Sequence, residues 1–508
     1  MGALWRTRDP PERFPAGRAS AEMMPARRRS EGATAAATAL IALGYLAYGL
    51  AGARHGLASD IDSTLIWTRS PALLSGDYLP SRTSGFPLYE ALVALVRFAG
   101  GGPEAAARVT LAIGLAGLVC LHRLLPLPRQ RLVAMGLFVA APVILTNASA
   151  VMEWTPAITL STAYVLIVFR DRLDPDRPGP PPNPLEPLPL ALGLALVLTR
   201  IDASLLVVAA ALARAIAERD LRYLAHLAGI GGISFAVYAG LWGGLGFLGP
   251  FETVTDPPIR RVAKAAVAGF AASWTAGVAA AFLAFAAFAR MALAWRWFLG
   301  LATGLAVLRL VAMPDEADYL APGLVALILV AAVHAGRRGA RAGLAVALVG
   351  LTVSLSIFEK PDPRADGFVL RPRLAASPAW QALARRAERA RARDPAVWAR
   401  LRAETGIPVA PPLTGTELSD PSGREIVIFR NGLYTFLSPR WGIELARFDR
   451  VVLCDAYLFQ SRGWRQLRAE YPRTVLDGDH DAGLACAELP RPPTRAGLLR
   501  SAAGLGLR

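Results

Sequence analysis

The stretch ATAAATALIALGYLAYGLAG, residues 33–52, decides the class of fold, because it carries no charge over the length of a membrane-spanning helix. Similar apolar runs recur as far as Phe358, and 54% of the chain is hydrophobic. The sequence therefore predicts an all-α polytopic membrane domain over residues 33–358. The preceding tail, residues 1–32, is rich in Arg and Pro, and without a clear small-residue cleavage site the first run is expected to be retained as a span.

Apolar runs bounded by charged or Pro/Gly-rich segments predict about eleven spans. They lie near residues 33–52, 105–122, 132–150, 154–170, 188–199, 203–217, 221–245, 265–289, 292–313, 319–336 and 340–357. The run 86–99 is shorter than a span and carries Glu90 and Arg97, so we expect an interfacial helix there, within a first outer loop of residues 54–104. If this run did cross, every later loop would change sides.

Arginine recurs in alternate loops and in the tail, which predicts a cytoplasmic N-terminus in a multi-pass protein of the inner membrane. Acidic residues are concentrated in the opposite loops, which indicates a function at the outer face of the membrane. The formal net charge of +16 is explained largely by this topology, and since no nucleic-acid-binding motif surrounds the arginines, we expect no nucleic-acid partner.

Two segments are predicted to lie outside the bilayer. Residues 171–187, DRLDPDRPGPPPNPLEP, hold too many prolines for a helix and predict an extended cytoplasmic linker. Residues 359–508 follow an odd number of spans, and the strand-like runs EIVIF and DRVVLCDAY between helical patterns predict a small extracytoplasmic α/β domain. Its two cysteines, Cys454 and Cys486, are expected either to form a disulfide in an oxidising compartment or to remain free thiols.

The most informative loop is SDIDSTLIWTRSPALLSGDYLPSRTSGFPLYE, residues 59–90, which places acids directly after the first span. Sugar transfer with inversion needs a carboxylate that takes the proton from the acceptor hydroxyl. Asp62, and after it Asp60, are the candidates for this general base. The alternative is that either residue caps a surface helix beginning with Leu65.

The phosphate of a sugar donor needs cations close to it, and charged residues at membrane depth are costly unless they have a task or a partner. Arg82 in the loop, Arg200 at the end of a short span and Arg309 inside an apolar run are the candidates. Glu153 precedes a span and is a further catalytic candidate, or else a first-turn acid beside Trp154 as an interfacial anchor.

The segment RLVAMPDEADYLAP, residues 309–322, is the second candidate site segment, because acidic residues follow directly after the intramembrane Arg309. Asp315, Glu316 and Tyr319 are expected to bind a lipid phosphate or sugar hydroxyls. The alternative is a capped loop with Tyr319 in the aromatic belt. The five histidines share no metal-ligand spacing and no phosphate-loop glycine pattern occurs, so a metal site is not indicated.

Taken together, the acid after the first span, GDYLPSRTSGFPLYE, the acidic start of the fourth span and PDEADYLAP resemble bacterial membrane glycosyltransferases of the C superfamily. That superfamily includes protein mannosyltransferases and lipid A aminoarabinose transferases. The resemblance implies a polyprenyl-phosphate-linked sugar as donor, Asp62 or Asp60 as base, and Glu153 as the acid of the second outer loop. It also places Tyr89, in the SGFPLYE segment, with the substrate-binding residues. The chain has no clear constellation of residues for a divalent metal ion.

The leading hypothesis is therefore a transferase of a hexosyl or pentosyl group from a lipid-phosphate donor, acting at the outer face of the inner membrane on a glycan, lipid or protein of the cell envelope. The main alternative is a transporter or lipid flippase, which would predict paired repeats that the sequence does not display. A catalytically inactive scaffold for other envelope proteins is the third.

Overall fold

The computed structural model describes most of the membrane domain and seven strands of the chain. The described residues are 19–384 with gaps at 57–60, 75, 77, 79–80, 82–84, 175–178, 246, 248–256, 313–316, 360–368 and 378, and the strands 417–419, 425–429, 450–455, 474–479 and 484–488.

Fourteen α-helices make up the described part of the chain before the strands begin. They are α1 Ala19–Ala53, α2 Ile61–Leu74, α3 Pro87–Phe98, α4 Pro103–Leu124, α5 Pro128–Ala140, α6 Pro142–Asn147, α7 Trp154–Val168, α8 Pro187–Thr199, α9 Ser204–Glu218, α10 Arg222–Trp242, α11 Pro258–Ala287, α12 Leu293–Ala312, α13 Ala321–His334 and α14 Arg337–Thr352. Many begin with Pro in their first turn, where the missing N–H would have no partner within the helix.

Among the residues that the structure describes, four helices are long and apolar enough to cross a membrane: α10, α12, α4 and the Gly32–Ala53 part of α1. Shorter apolar helices cover Trp154–Val168, Pro187–Thr199, Ala276–Arg290 and Asp318–His334. The mostly helical fold of an integral membrane protein is thus confirmed, while the eleven crossings and their orientation stay predictions.

Two of the predicted spans are wrong in detail. The run 132–150 is interrupted, since α5 ends at Ala140 and Pro142 starts the six-residue helix α6. Proline has no N–H to continue the ladder of the preceding helix, which explains the break. The run 340–357 is also not one helix, because α14 ends at Thr352 and strand β1, Val353–Glu359, follows.

The run 86–99 forms a helix, α3, which has 12 residues, and its interfacial location stays a prediction. It packs against α2 and α8, and its buried side includes Tyr89, Glu90 and Val93. Arg97 near its end donates to the carbonyl of Trp67 in α2 and lies 4.8 Å from the Trp67 ring centroid. The first loop is therefore folded onto the helix bundle by specific contacts.

The helix ends meet in two groups at opposite ends of α7. At its C-terminal end, the Trp295 indole donates to the carbonyl of Arg172 at 3.3 Å, and the Gln130 amide donates to the carbonyl of Leu173 at 2.8 Å. At its N-terminal end, Glu153 contacts Arg200. The two groups correspond to the Arg-rich and the acid-rich loops of the sequence. Which of them faces the cytoplasm stays a prediction.

The linker 171–187 is held at the C-terminal end of α7. A 3-10 turn at Arg170–Arg172 starts it, and Asp171 accepts three hydrogen bonds of 3.0–3.1 Å from the buried Arg214 guanidinium. Tyr223 donates to the carbonyl of Pro182 at 3.3 Å. The described part of the linker contains no α-helix, as its prolines predicted.

The strands form two sheets. β1 pairs antiparallel with β2, Val369–Ala376. The others, β3 Glu417–Ser419, β4 Glu425–Phe429, β5 Arg450–Asp455, β6 Thr474–Asp479 and β7 Leu484–Glu488, form one sheet in the order β3-β4-β5-β7-β6. Strands β4 and β5 are parallel and coincide with the runs EIVIF and DRVVLCDAY, whereas the helices predicted between strands lie outside the described residues. The register places Cys454 of β5 opposite Cys486 of β7.

Candidate active site

The candidate site forms where five helix ends or turns meet around two arginines. Glu153 directly precedes α7, Arg200 follows α8, and Asp202 lies in the 3-10 turn Ile201–Ala203. Arg309 lies in the last turn of α12, and Tyr319 in the 3-10 turn Ala317–Leu320. Each of these residues lies at a helix end or in a short turn, so their polar side chains meet without interrupting an apolar helix.

Arg200 is the buried centre of this site. Its side chain is 2% exposed, it forms an ion pair with the fully buried Glu153, and its Nη2 lies 3.4 Å from Asp202 Oδ2. A guanidinium removed from water in this way needs a counter-charge, which these carboxylates supply. The extended backbone at Arg200 ends α8 and turns the chain into the 3-10 turn that carries Asp202.

Arg309 is the second cation, and it reaches the same carboxylate from the other side. Its Nε lies 2.9 Å from Asp202 Oδ1, so Asp202 stands between the two arginines. Unlike Arg200, Arg309 keeps 16% of its side chain exposed. It is thus the arginine of this pair that an anion can approach from outside.

Aromatic rings frame both guanidinium groups. The Cζ atom of Arg200 lies 3.7 Å from the ring centroid of Trp154, 5.1 Å from that of Phe86 and 5.5 Å from that of Tyr319. Arg309 Cζ lies 4.5 Å from the Tyr319 centroid, and Trp154 and Tyr319 meet edge to face at 6.0 Å. Cations within about 6 Å of such ring faces are attracted to them, so the rings fix the guanidinium planes as well as exclude water.

The first loop supplies Phe86 to this frame, and Glu90 fixes the loop. The buried Glu90 carboxylate accepts hydrogen bonds from the Tyr78 hydroxyl at 2.6 Å, the Ser81 backbone N–H at 2.8 Å and the Phe86 backbone N–H at 3.2 Å. Burial, reinforced by this carboxylate, raises the pKa of Tyr78 far above its ordinary value, so the hydroxyl stays a donor. Gly85, with a φ of 72°, allows the turn just before Phe86.

The structure brings four of the predicted site residues together: Glu153, Arg200, Arg309 and Tyr319. Tyr89 lies on the buried side of α3, where its hydroxyl bonds that of Thr110 at 2.6 Å. Asp62 is the second residue of α2, which begins at Ile61 and not at Leu65, so the alternative that Asp62 caps this helix is wrong, while the same alternative for Asp60 stays open. Asp60, Arg82, Asp315 and Glu316 lie outside the described residues.

The alternatives for two aromatic residues are also wrong. In these alternatives Trp154 was an interfacial anchor and Tyr319 a member of the aromatic belt, but the two residues are 2% and 3% exposed and pack on the arginines. The sequence reasoning missed Asp202, Phe86 and Glu90 as members of the site. Asp202, two residues after Arg200, and Glu90, an acid on the apolar side of a short helix, were the available signals.

Within the described part of the chain, no group of three or more His, Cys, Asp or Glu side chains could hold a metal ion. The described ion pairs of the cluster join Arg200 and Arg309 to Glu153 and Asp202. Its chemistry is therefore that of an aromatic-framed pair of guanidinium groups, suited to an anion that meets Arg309.

Comparisons with known proteins give one remote similarity. No family model matches the chain, and no curated protein matches it. Among solved structures it is similar to the crystal structure of ArnT from Cupriavidus metallidurans in the apo state, with a TM-score of 0.43 and 13% identity over 92% of this chain and 76% of that chain. A similarity this distant assigns no activity.

Proposed function

We propose that this protein is a membrane glycosyltransferase that moves a sugar from a polyprenyl-phosphate-linked donor to an acceptor of the cell envelope. The observation that carries the proposal is the pair Arg200 and Arg309 where several helix ends meet, with Asp202 between them and three aromatic rings around them. Burying an arginine at a helix end of a membrane protein costs free energy, and binding an anionic substrate group is a function that accounts for such residues.

In the proposed reaction, the donor phosphate lies against Arg309, the more exposed of the two arginines, and Arg200 adds its positive field from behind. The acceptor oxygen attacks the anomeric carbon, a new C–O bond forms, and the bond from that carbon to the phosphate oxygen breaks. The phosphate leaves with the bonding electrons. Stabilising the charge on this leaving oxygen is the main contribution that fixed guanidinium groups make to the rate.

The proton of the acceptor hydroxyl goes to a carboxylate, and Asp62 at the start of α2 is our first candidate, with Asp60 as the second. Glu153 has a different part in the proposal. Its carboxylate accepts from the Arg200 guanidinium inside the protein, so it orients this arginine instead of acting as the base. Asp315, Glu316 and Arg82 remain proposed contacts to the sugar or phosphate, and the donor's lipid tail would lie in the bilayer.

The test is the envelope glycan and glycolipid profile of a strain that lacks the gene, complemented with wild type, Asp62→Asn, Asp60→Asn or Arg309→Gln. We expect wild type to restore a sugar modification, and Arg309→Gln and one Asn variant to fail at equal protein level. The matched control is Arg108→Gln, which removes an arginine with a 61% exposed side chain from a surface ion pair on α4.

Rescue by both Asn variants and by Arg309→Gln would overturn the proposal. It would favour a transporter or flippase, which lipid translocation in proteoliposomes would then detect, or a catalytically inactive scaffold.

A further inference from the structure

One carboxylate, that of Glu90, binds three described residues of the loop between α2 and α3. Glu90 is 1% exposed and sits one helical turn after Phe86, whose carbonyl accepts from the Glu90 backbone N–H at 2.8 Å. Its two oxygens together accept from one hydroxyl and two backbone N–H groups across residues 78–86. Hydrogen bonds to an ionised acceptor are stronger than those to a neutral one, so the Glu90 carboxylate holds the loop more strongly than a neutral side chain would.

The consequence of this fastening is the position of Phe86. The Phe86 backbone N–H donates to Glu90, and the Phe86 ring, 3% exposed, lies 5.1 Å from the Arg200 guanidinium. Ser81 in the same loop is 2% exposed. If the carboxylate lost its charge, the three donors would no longer share an ionised acceptor, and their hydrogen bonds would weaken.

We propose that Glu90 is a positioning residue, which holds Tyr78, Ser81 and Phe86 so that the Phe86 ring covers the Arg200 guanidinium beside a bound phosphate. This inference rests on the proposed function, because it concerns the same arginine pair. It adds a residue that does not touch the substrate and acts through Phe86. The described partners of Glu90 are a hydroxyl and two backbone N–H groups.

The first measurement is the affinity of the full-length protein in nanodiscs for decaprenyl phosphate. Glu90→Gln and Phe86→Leu are each expected to weaken binding roughly tenfold, the order of one charge-assisted hydrogen bond. Because both act through the position of the Phe86 ring, the double variant is expected to bind no more weakly than the worse single one. Tyr78→Phe removes one donor only and serves if Glu90→Gln does not purify as a monodisperse protein.

The matched control is Glu104→Gln, which neutralises an exposed glutamate on α4 and is expected to leave binding unchanged. Unchanged affinity in Glu90→Gln, or independent losses that multiply in the double variant, would overturn the inference, since a merely structural role predicts lower stability without this coupling.

A second readout separates this inference from the proposed function. In a background without the native cysteines, Ser81→Cys keeps the backbone N–H that bonds Glu90, and its labelling by a maleimide reports whether the buried position 81 has become accessible. We expect Glu90→Gln to raise the labelling rate severalfold at position 81. If wild type bound no decaprenyl phosphate, the donor class would fail while faster labelling would still support the role of Glu90 in holding Ser81 buried; equal labelling rates would overturn that role.

Discussion

The Glu153–Arg200 ion pair offers the sharpest test of how charge is balanced at the site. Glu153→Gln keeps the shape of the side chain and removes its charge, while Arg200→Met removes the guanidinium and keeps a long apolar side chain. The double variant removes both charges together. Since Arg200 and Glu153 are 2% and 0% exposed, water cannot take the place of a lost partner.

Breaking a buried ion pair by removing one partner costs about 3–5 kcal/mol, because the remaining charge stays buried without compensation. For Glu153→Gln we expect the lower end, about 3 kcal/mol, because Asp202 remains 3.4 Å from Arg200. Arg200→Met also gives up the stacking on Trp154 at 3.7 Å, so about 4 kcal/mol is expected. The double variant should lose at most about 2 kcal/mol, since replacing both charges by apolar or neutral groups is often close to neutral.

The assay is thermal unfolding in one detergent, followed by tryptophan fluorescence and size-exclusion chromatography, for wild type and the three variants. Decaprenyl phosphate binding is measured on the same samples. We expect the double variant to recover stability over Arg200→Met but not to recover binding. A double variant whose loss equals the sum of the two single losses would refute the reasoning on charge balance, and one that binds like wild type would refute the role of Arg200 in holding the phosphate.

Three further predictions concern other parts of the chain. Arg309→Gln should weaken decaprenyl phosphate binding at least tenfold while costing only about 1 kcal/mol of stability, because its side chain is 16% exposed; binding and thermal unfolding check this together. Asp171→Asn should cost about 3 kcal/mol by depriving the buried Arg214 of its main partner, with binding unchanged in the same assays. Cys454 and Cys486, opposite each other across β5 and β7, should form a disulfide in protein from native membranes, detected by mass spectrometry of non-reduced peptides; two free thiols would contradict the outer placement of this segment.

Hydrophobic periodicity predicted most helices well, because a helix surrounded by lipid must be apolar over its length. The same criterion failed at residues 132–150, where composition stays apolar across a break. Pro142 was the visible signal, and its effect depends on backbone geometry that hydropathy does not register. The boundary at Thr352 was missed for a related reason, since a β-branched, apolar stretch suits a strand as well as a span.

Glu153, Arg200, Arg309 and Tyr319 could be predicted because a charged or aromatic residue at a span end is conspicuous against an apolar background. Their partners could not, since the contacts join positions far apart in sequence; Arg200 meets Glu153 47 residues earlier. Glu90 was read as a reason to keep the run 86–99 out of the bilayer, and that reading did not reveal what the carboxylate binds. The role of Glu90 depends on its contacts with Tyr78, Ser81 and Phe86, which hydrophobic periodicity does not predict.

The chain also contains a comparison that separates function from mere charge burial. At the opposite end of α7, Arg214 is 0% exposed and pairs with Asp171 and Glu218, as Arg200 pairs with Glu153 and Asp202. Buried ion pairs are weak evidence for either stability or function by themselves, since the attraction does little more than offset the desolvation cost. Both clusters should therefore lose similar stability when one carboxylate is neutralised.

What differs is the surroundings. The Arg214 cluster fixes the proline-rich linker through three hydrogen bonds to one carboxylate, whereas the Arg200 cluster adds a second, partly exposed arginine and a ring carried by a loop. If charge burial alone explained both, Glu153→Gln and Asp171→Asn would be indistinguishable in every assay. Loss of lipid-phosphate binding in Glu153→Gln alone, at matched stability, is the result that only a ligand site at the Arg200 end predicts.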